Sequence, residues 1–183
     1  MLGQNQSNTK PKFVFLGVAG IILVFGLLTL FNSLPSQANP VIEQQPVVTG
    51  GVQYPQSPTE MRPVQAKTEN GKILLPLETV LEKKFVAFDY QSPRGVIPLL
   101  AYVSPGGKVV TAVSMCEPCN STRFHIRSDE LICNSCGTTW ELANLSGVSG
   151  ACQKYPPDPL PSTITGNEIQ IDEAIVASWT PRK

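Results

Sequence analysis

Four cysteines in the order C-x2-C-x13-C-x2-C, at Cys116, Cys119, Cys133 and Cys136, restrict this chain more than any other feature of its 183 residues. Two thiolates three residues apart on a tight turn can reach one metal from the same loop, and a second such loop completes a sulfur cage. Sulfur-only ligation suits zinc, a single iron or a 2Fe-2S cluster, and the spacing does not separate these. Asn120 follows the first pair and Gly137 the second. Both residue types tolerate the left-handed backbone, which lets a turn aim N–H groups at sulfur. Arg123 and Lys154 are candidates to offset the charge of four thiolates.

Competing uses of the cysteines are a pair of disulfides, the default fate of exported thiols, and a thioredoxin-like redox pair. Neither C-x-x-C opens a helix after a strand, as the second would require. A fifth cysteine, Cys152 in the run Ser149-Gly150-Ala151-Cys152, is a candidate further or exchangeable metal ligand, a redox thiol, or a small buried residue. His125, the single histidine, sits between Phe124 and Ile126 on an alternating strand, where a solvated or hydrogen-bonded strand residue is expected. Trp140 and Trp179 read as core or edge aromatics.

The chain around these cysteines divides into four parts. Residues 1–12 form a short tail, and residues 13–31, FVFLGVAGIILVFGLLTLF, carry no charge. At about 1.5 Å per residue such a helix spans roughly 28 Å, close to a hydrocarbon core, so a single transmembrane helix is expected. Lys10 and Lys12 precede the run and the next charge is Glu43, so the N-terminus should stay cytoplasmic with the rest extracytoplasmic. Cleavage after a signal peptide at Ser36-Gln37-Ala38 is the alternative, and it also exports the domain. Residues 32–69 hold six prolines and no sustained period of 2 or 3.6. They read as an extended, Pro-stiffened linker holding the domain off the bilayer.

Residues 70–183 form the Cys-rich, metal-binding β domain. Residues 72–75 should form a strand, 76–82 a helical turn, and 85–90, 96–103 and 108–113 a three-stranded meander. Further strands are expected over 123–127, 130–132, 138–142, 162–165 and 168–171, the last two joined at Gly166-Asn167. The expected fold class is a small, mainly β, antiparallel domain on one membrane helix. Fourteen basic residues balance fourteen acidic ones, and no stretch is basic enough to neutralise a phosphate backbone, so nucleic acid is not an expected partner. With one histidine, and without a phosphate-cradling glycine loop or a Ser-His-Asp set, hydrolase chemistry has no apparatus.

The segments GKILLPLETV, KVVTAVSMCEPC, LICNSCGTTWEL and SGACQKYPPDPLPSTITGNEIQI together resemble the membrane iron–sulfur proteins of the FtrD-like family, over roughly residues 71–171. That resemblance implies Cys116, Cys119, Cys133 and Cys136 as cluster ligands and places Cys152 at the family's third cysteine position. There two glycines are usual, and Ala151 replaces one. A more distant resemblance to Rieske domains lies in the order VVTAVSMCEPC, CNSCGTTWEL and PLPSTITGNEIQI. Rieske loops carry one Cys and one His each, whereas these carry two Cys, which for a 2Fe-2S centre implies a potential below Rieske values. The resemblance implies electron transfer through a centre of the 2Fe-2S type, with a membrane redox or transport partner and a link to uptake of iron or other metals. A zinc-stabilised interaction module, and a metal-delivery or thiol-exchange protein using Cys152, are the competing functions.

Overall fold

The computed structural model describes residues 39–182. The apolar run at 13–31 lies outside them, and among the described residues no helix is long and apolar enough to cross a membrane. In chain order come helix α1 (Pro40–Glu43) and strands β1 (Thr59–Glu60), β2 (Arg62–Pro63), β3 (Lys67–Glu69) and β4 (Lys72–Pro76). Helix α2 (Leu77–Lys83) leads into β5 (Phe85–Ser92), β6 (Gly95–Val103) and β7 (Val109–Val113). A 3-10 turn (Glu117–Cys119) is followed by β8 (Phe124–Arg127), β9 (Glu130–Cys133), β10 (Thr139–Glu141) and β11 (Gly147–Ser149). Strands β12 (Asp158–Leu160), β13 (Ser162–Thr165) and β14 (Glu168–Asp172) precede helix α3 (Glu173–Ser178).

The centre of the domain is the meander β5, β6, β7, antiparallel from Phe85 opposite Tyr102 to Leu99 opposite Val113. Side chains on a strand alternate between its two faces, and here both faces are covered. Phe85, Leu100, Tyr102, Val110 and Ala112 enter one apolar core, while Val86, Phe88, Leu99, Ala101, Val103, Val109 and Val113 enter another. That double burial explains why these strands read as nearly continuous apolar runs. β12 and β2 extend the sheet to the order β12-β7-β6-β5-β2.

A sheet of order β1-β8-β9-β10-β11 contributes Phe124, Ile126, Leu131 and Trp140 to the first core. The sheet β13-β14-β4-β3 contributes Ile73, Leu75, Ile169 and Ile171 to the second. β13 and β14 pair from Ser162 opposite Ile171 to Thr165 opposite Glu168, leaving Gly166 (φ 60°) and Asn167 as the turn. The fold is mainly antiparallel β, with β2 against β5 the one parallel pairing among the described residues. Helix α3, which no sequence pattern announces, is capped by Asp172 accepting from Ala174 N–H at 3.0 Å and buries Val176.

The expectation of an extended, Pro-stiffened linker over residues 32–69 is corrected for 39–69. Ile42, Tyr54 and Met61 are at most 8% exposed and belong to the first core. The backbone between them is hydrogen-bonded to the domain, with Val48 N–H on the Gly107 carbonyl at 2.8 Å and Val64 N–H on Ala87 at 2.9 Å. The side chain of Gln45 is also engaged, bonding Leu160 O at 2.6 Å and Ser162 Oγ at 2.5 Å. Isolated anchors on a proline-extended strap leave no periodic signature, although each buries apolar surface. Residues 32–38 lie outside the described part of the chain.

Candidate metal centre

β7 delivers the first cysteine pair and the β9–β10 hairpin the second, and the two turns are closed alike. Cys116 N–H donates to the Ser121 carbonyl at 2.8 Å and Cys133 N–H to Thr138 at 3.0 Å, five residues on in each case. Four residues after each leading cysteine the backbone turns left-handed, at Asn120 (φ 53°) and Gly137 (φ 68°). Those are the residue types that adopt this conformation at least cost. The turns are thus two copies of one knuckle.

The knuckles bring Cys116, Cys119, Cys133 and Cys136 together with all four Sγ atoms within 4.8 Å of one another. The closest approaches cross between knuckles, 3.8 Å from Cys116 to Cys136 and 3.7 Å from Cys119 to Cys133. All five cysteines are free thiols, so the disulfide alternative has no pair in this structure. Cys152 is 5% exposed and its Sγ lies 3.8 Å from that of Cys136, against the cage rather than among its four sulfurs. Gly150 (φ 98°) allows this approach, because a Cβ there would come within 2.5 Å of Thr138 Oγ1.

Thr138 joins the two features. Its Oγ1 accepts Cys152 N–H at 3.2 Å and lies 3.3 Å from Cys136 Sγ, where its proton can meet a thiolate. Burial raises the Cys136 thiol, but the Thr138 hydroxyl and backbone N–H, with the neighbouring thiols, outweigh burial and bring it down to about 6. Burial pushes Cys119 up to about 11 and Cys116 further still, with the other thiols of the cage adding to the rise at Cys116. Without a cation, Cys116 and Cys119 hold their protons. A divalent metal would draw all four to thiolate and release protons as it binds.

The donor set therefore fits a thiophilic metal or an iron–sulfur group: four sulfurs, two knuckles and N–H or O–H donors aimed at the outermost of them. Arg123 and Lys154, the expected compensating charges, are both exposed. The cation brought to the first knuckle is instead Arg182, paired at 2.5 Å with Glu117 between the first two cysteines. His125 is half-buried, its Nδ1 2.7 Å from Asn134 Oδ1 inside the second knuckle. Trp140 is fully buried and donates Nε1–H to the Gln153 carbonyl at 3.0 Å beside Cys152. Thr138, Glu117 and Arg182 were not indicated by the sequence; a charged residue inside a C-x-x-C was the one available signal.

Fold and site define a mainly β protein with a four-cysteine cage suited to a metal. Residues 80–182, more than half of the chain, match the family described as membrane iron-sulfur containing protein FtrD-like, and the chain belongs to that family. No curated protein and no solved structure matches the chain.

Proposed function

We propose that this chain is a membrane-anchored, extracytoplasmic electron-transfer component whose iron–sulfur centre, of the 2Fe-2S type, is held by Cys116, Cys119, Cys133 and Cys136. The observation that carries the reading is the convergence of the four Sγ atoms within 4.8 Å in a chain of an iron–sulfur family. When bound, the centre supplies reversible one-electron chemistry. The two close pairs, Cys116 with Cys136 and Cys119 with Cys133, each draw one sulfur from each knuckle, so two irons could each take one pair and be bound by both turns.

The protein's own part is positioning and insulation. Cys116 and Cys133 are at most 1% exposed and back the centre onto the first core, while Cys136 is exposed. Electrons would pass at the Cys136 edge, to or from a membrane redox or transport partner, in support of uptake of iron or another metal. All-thiolate ligation favours a lower potential than mixed Cys/His ligation, which suits a donor. The Rieske-like reading of the β domain belongs to this proposal. So do the anchor at residues 13–31 and its cytoplasmic N-terminus.

A second reading is favoured by the cage dimensions. Four sulfurs about 2.3 Å from one tetrahedral ion lie about 3.8 Å apart, close to the contacts at 3.7 and 3.8 Å. A single iron or a zinc fits those two contacts as they stand, and a two-iron centre needs the two pairs to part. Anaerobic purification of the full chain in detergent, with iron, zinc and acid-labile sulfide counted per chain and spectra taken before and after dithionite, separates the readings. About two irons and two sulfides with reductive bleaching support 2Fe-2S. One iron without sulfide makes the carrier mononuclear, and one zinc in a colourless protein replaces it with a structural module.

A further inference from the structure

Glu117 stands between the first two cysteines, and its side chain is 1% exposed. A carboxylate buried to that degree is costly unless it is paired. Its partner comes from the far end of the chain. Arg182 Nη2 lies 2.5 Å from Glu117 Oε1, Arg182 Nε donates to the same oxygen at 2.5 Å, and the Arg182 backbone N–H donates to Oε2 at 2.5 Å.

The same guanidinium reaches a second segment. It donates to the Pro156 carbonyl at 2.6 Å, lies 3.7 Å from an Asp158 carboxylate oxygen and sits 6.0 Å from the centre of the Tyr155 ring. Tyr155 N–H in turn bonds the Cys152 carbonyl at 2.9 Å. Trp179 directs the tail to this place by donating Nε1–H to Asp158 Oδ2 at 3.0 Å. The three sheets are complete at Asp172, so the tail is not needed to finish any of them. Arg182 ties the first knuckle to the segment that carries the fifth cysteine.

We propose that Arg182 is a positioning residue for the metal centre: it neutralises buried Glu117 and holds it in place within the first knuckle, which steadies metal binding and sets the electrostatics of the thiolates. This rests on the four-thiolate reading above. In Arg182→Gln the Glu117 carboxylate stays buried without its cation, one residue from Cys116. That charge opposes both the thiolates and the more negative, reduced form of the centre, so metal leaves faster and the potential falls. Glu117→Gln removes the charge, and the potential rises. The double variant has neither charge and returns towards the wild type. A purely structural role would not give opposite signs in the two single variants.

The test uses the full chain in detergent loaded with cobalt(II), whose thiolate absorption reports release into excess chelator, and potentiometry of the iron-loaded protein. Arg182→Gln should release cobalt at least about tenfold faster than wild type, Arg182→Lys should recover part of the loss, and the double variant should fall within about threefold of wild type. Release from Arg182→Gln within about twofold of wild type, or potentials shifted the same way in both single variants, overturns the proposal. Should Arg182→Gln fail to fold, the double variant decides: wild-type release supports the proposal and fast release overturns it. A wild type that takes up cobalt but no iron leaves the release measurements to decide. One that takes up no cobalt overturns the four-thiolate reading and this proposal with it.

Discussion

Leu99 and Leu100 are neighbours on β6, both fully buried, yet they face different worlds. Leu99 points into a core closed by Ile73, Leu75, Val80, Ile169 and Ile171, all apolar and all at most 1% exposed. Leu100 points into a core that includes Phe85, Phe124 and Trp140 and also Cys116, Cys133 and Cys152. Hydrocarbon burial alone can stabilise the first. The second also carries three buried cysteines of the cage and its edge. One sheet thus separates an all-apolar half from the half that carries the candidate metal cage, whose order should be linked to metal.

Metal removal should break the comparison most visibly. Stripping the full chain with a chelator should cost the cysteine-bearing half stability on the order of 10 kcal/mol, the scale of structural zinc in small domains. Hydrogen exchange followed by mass spectrometry should show β8, β9 and β10 losing protection while β5 and β6 keep theirs. Equal loss in both halves would mean that the two cores do not act separately.

Next in size are Leu99→Ala and Leu100→Ala, chemically the same truncation on opposite faces. Each should destabilise by about 2–5 kcal/mol through lost transfer energy and the cavity left behind. Only Leu100→Ala should also hasten metal release, because its cavity opens beneath the cysteine sheet. Equal release rates in the two variants would show that packing in the first core does not reach the knuckles. Tyr102→Phe probes the same core more gently. The Tyr102 hydroxyl donates to the buried Leu142 carbonyl at 2.9 Å, and its removal should cost about 1–2 kcal/mol in denaturant unfolding. An unchanged midpoint would mean that the carbonyl finds another donor.

The two halves also differed in how far the sequence disclosed them. The strands of the meander were legible because β-branched and aromatic runs ended at Ser92-Pro93-Arg94-Gly95 and Ser104-Pro105-Gly106-Gly107, and both turns lie between paired strands. The knuckles were legible too, since local spacing and the left-handed positions Asn120 and Gly137 are encoded within five residues. What stayed hidden depends on distant partners. Ile42, Tyr54 and Met61 are single anchors among prolines, and their burial exists only once the meander is present. Glu117 finds Arg182 across 65 positions, which no local pattern can announce. Thr138 looked like the start of a strand, and its meeting with Cys152 follows from the chain passing close at Gly150.

The smallest expected effect sharpens the contrast within the cage itself, between its outer and inner sulfurs. Cys136 is exposed, and its thiol is brought down to about 6 by donors that outweigh burial; Cys116 is fully buried and raised. Alkylation needs both access and thiolate. In metal-free full-length protein, iodoacetamide should therefore label Cys136 first, ahead of Cys119, whose thiol is raised to about 11. A lowered thiol loses its proton as pH rises through its midpoint, so the Cys136 rate should be half-maximal at about pH 6 and level off above it. Peptide mapping by mass spectrometry reads this directly. Thr138→Val deletes the hydroxyl 3.3 Å from Cys136 Sγ but keeps the backbone N–H, so the half-point should move upward while the order of labelling holds. An unmoved half-point would assign the lowering to the backbone and the neighbouring thiols. The Thr138 hydroxyl would then retain only its bond to Cys152 N–H, as a spacer between the cage and the fifth cysteine.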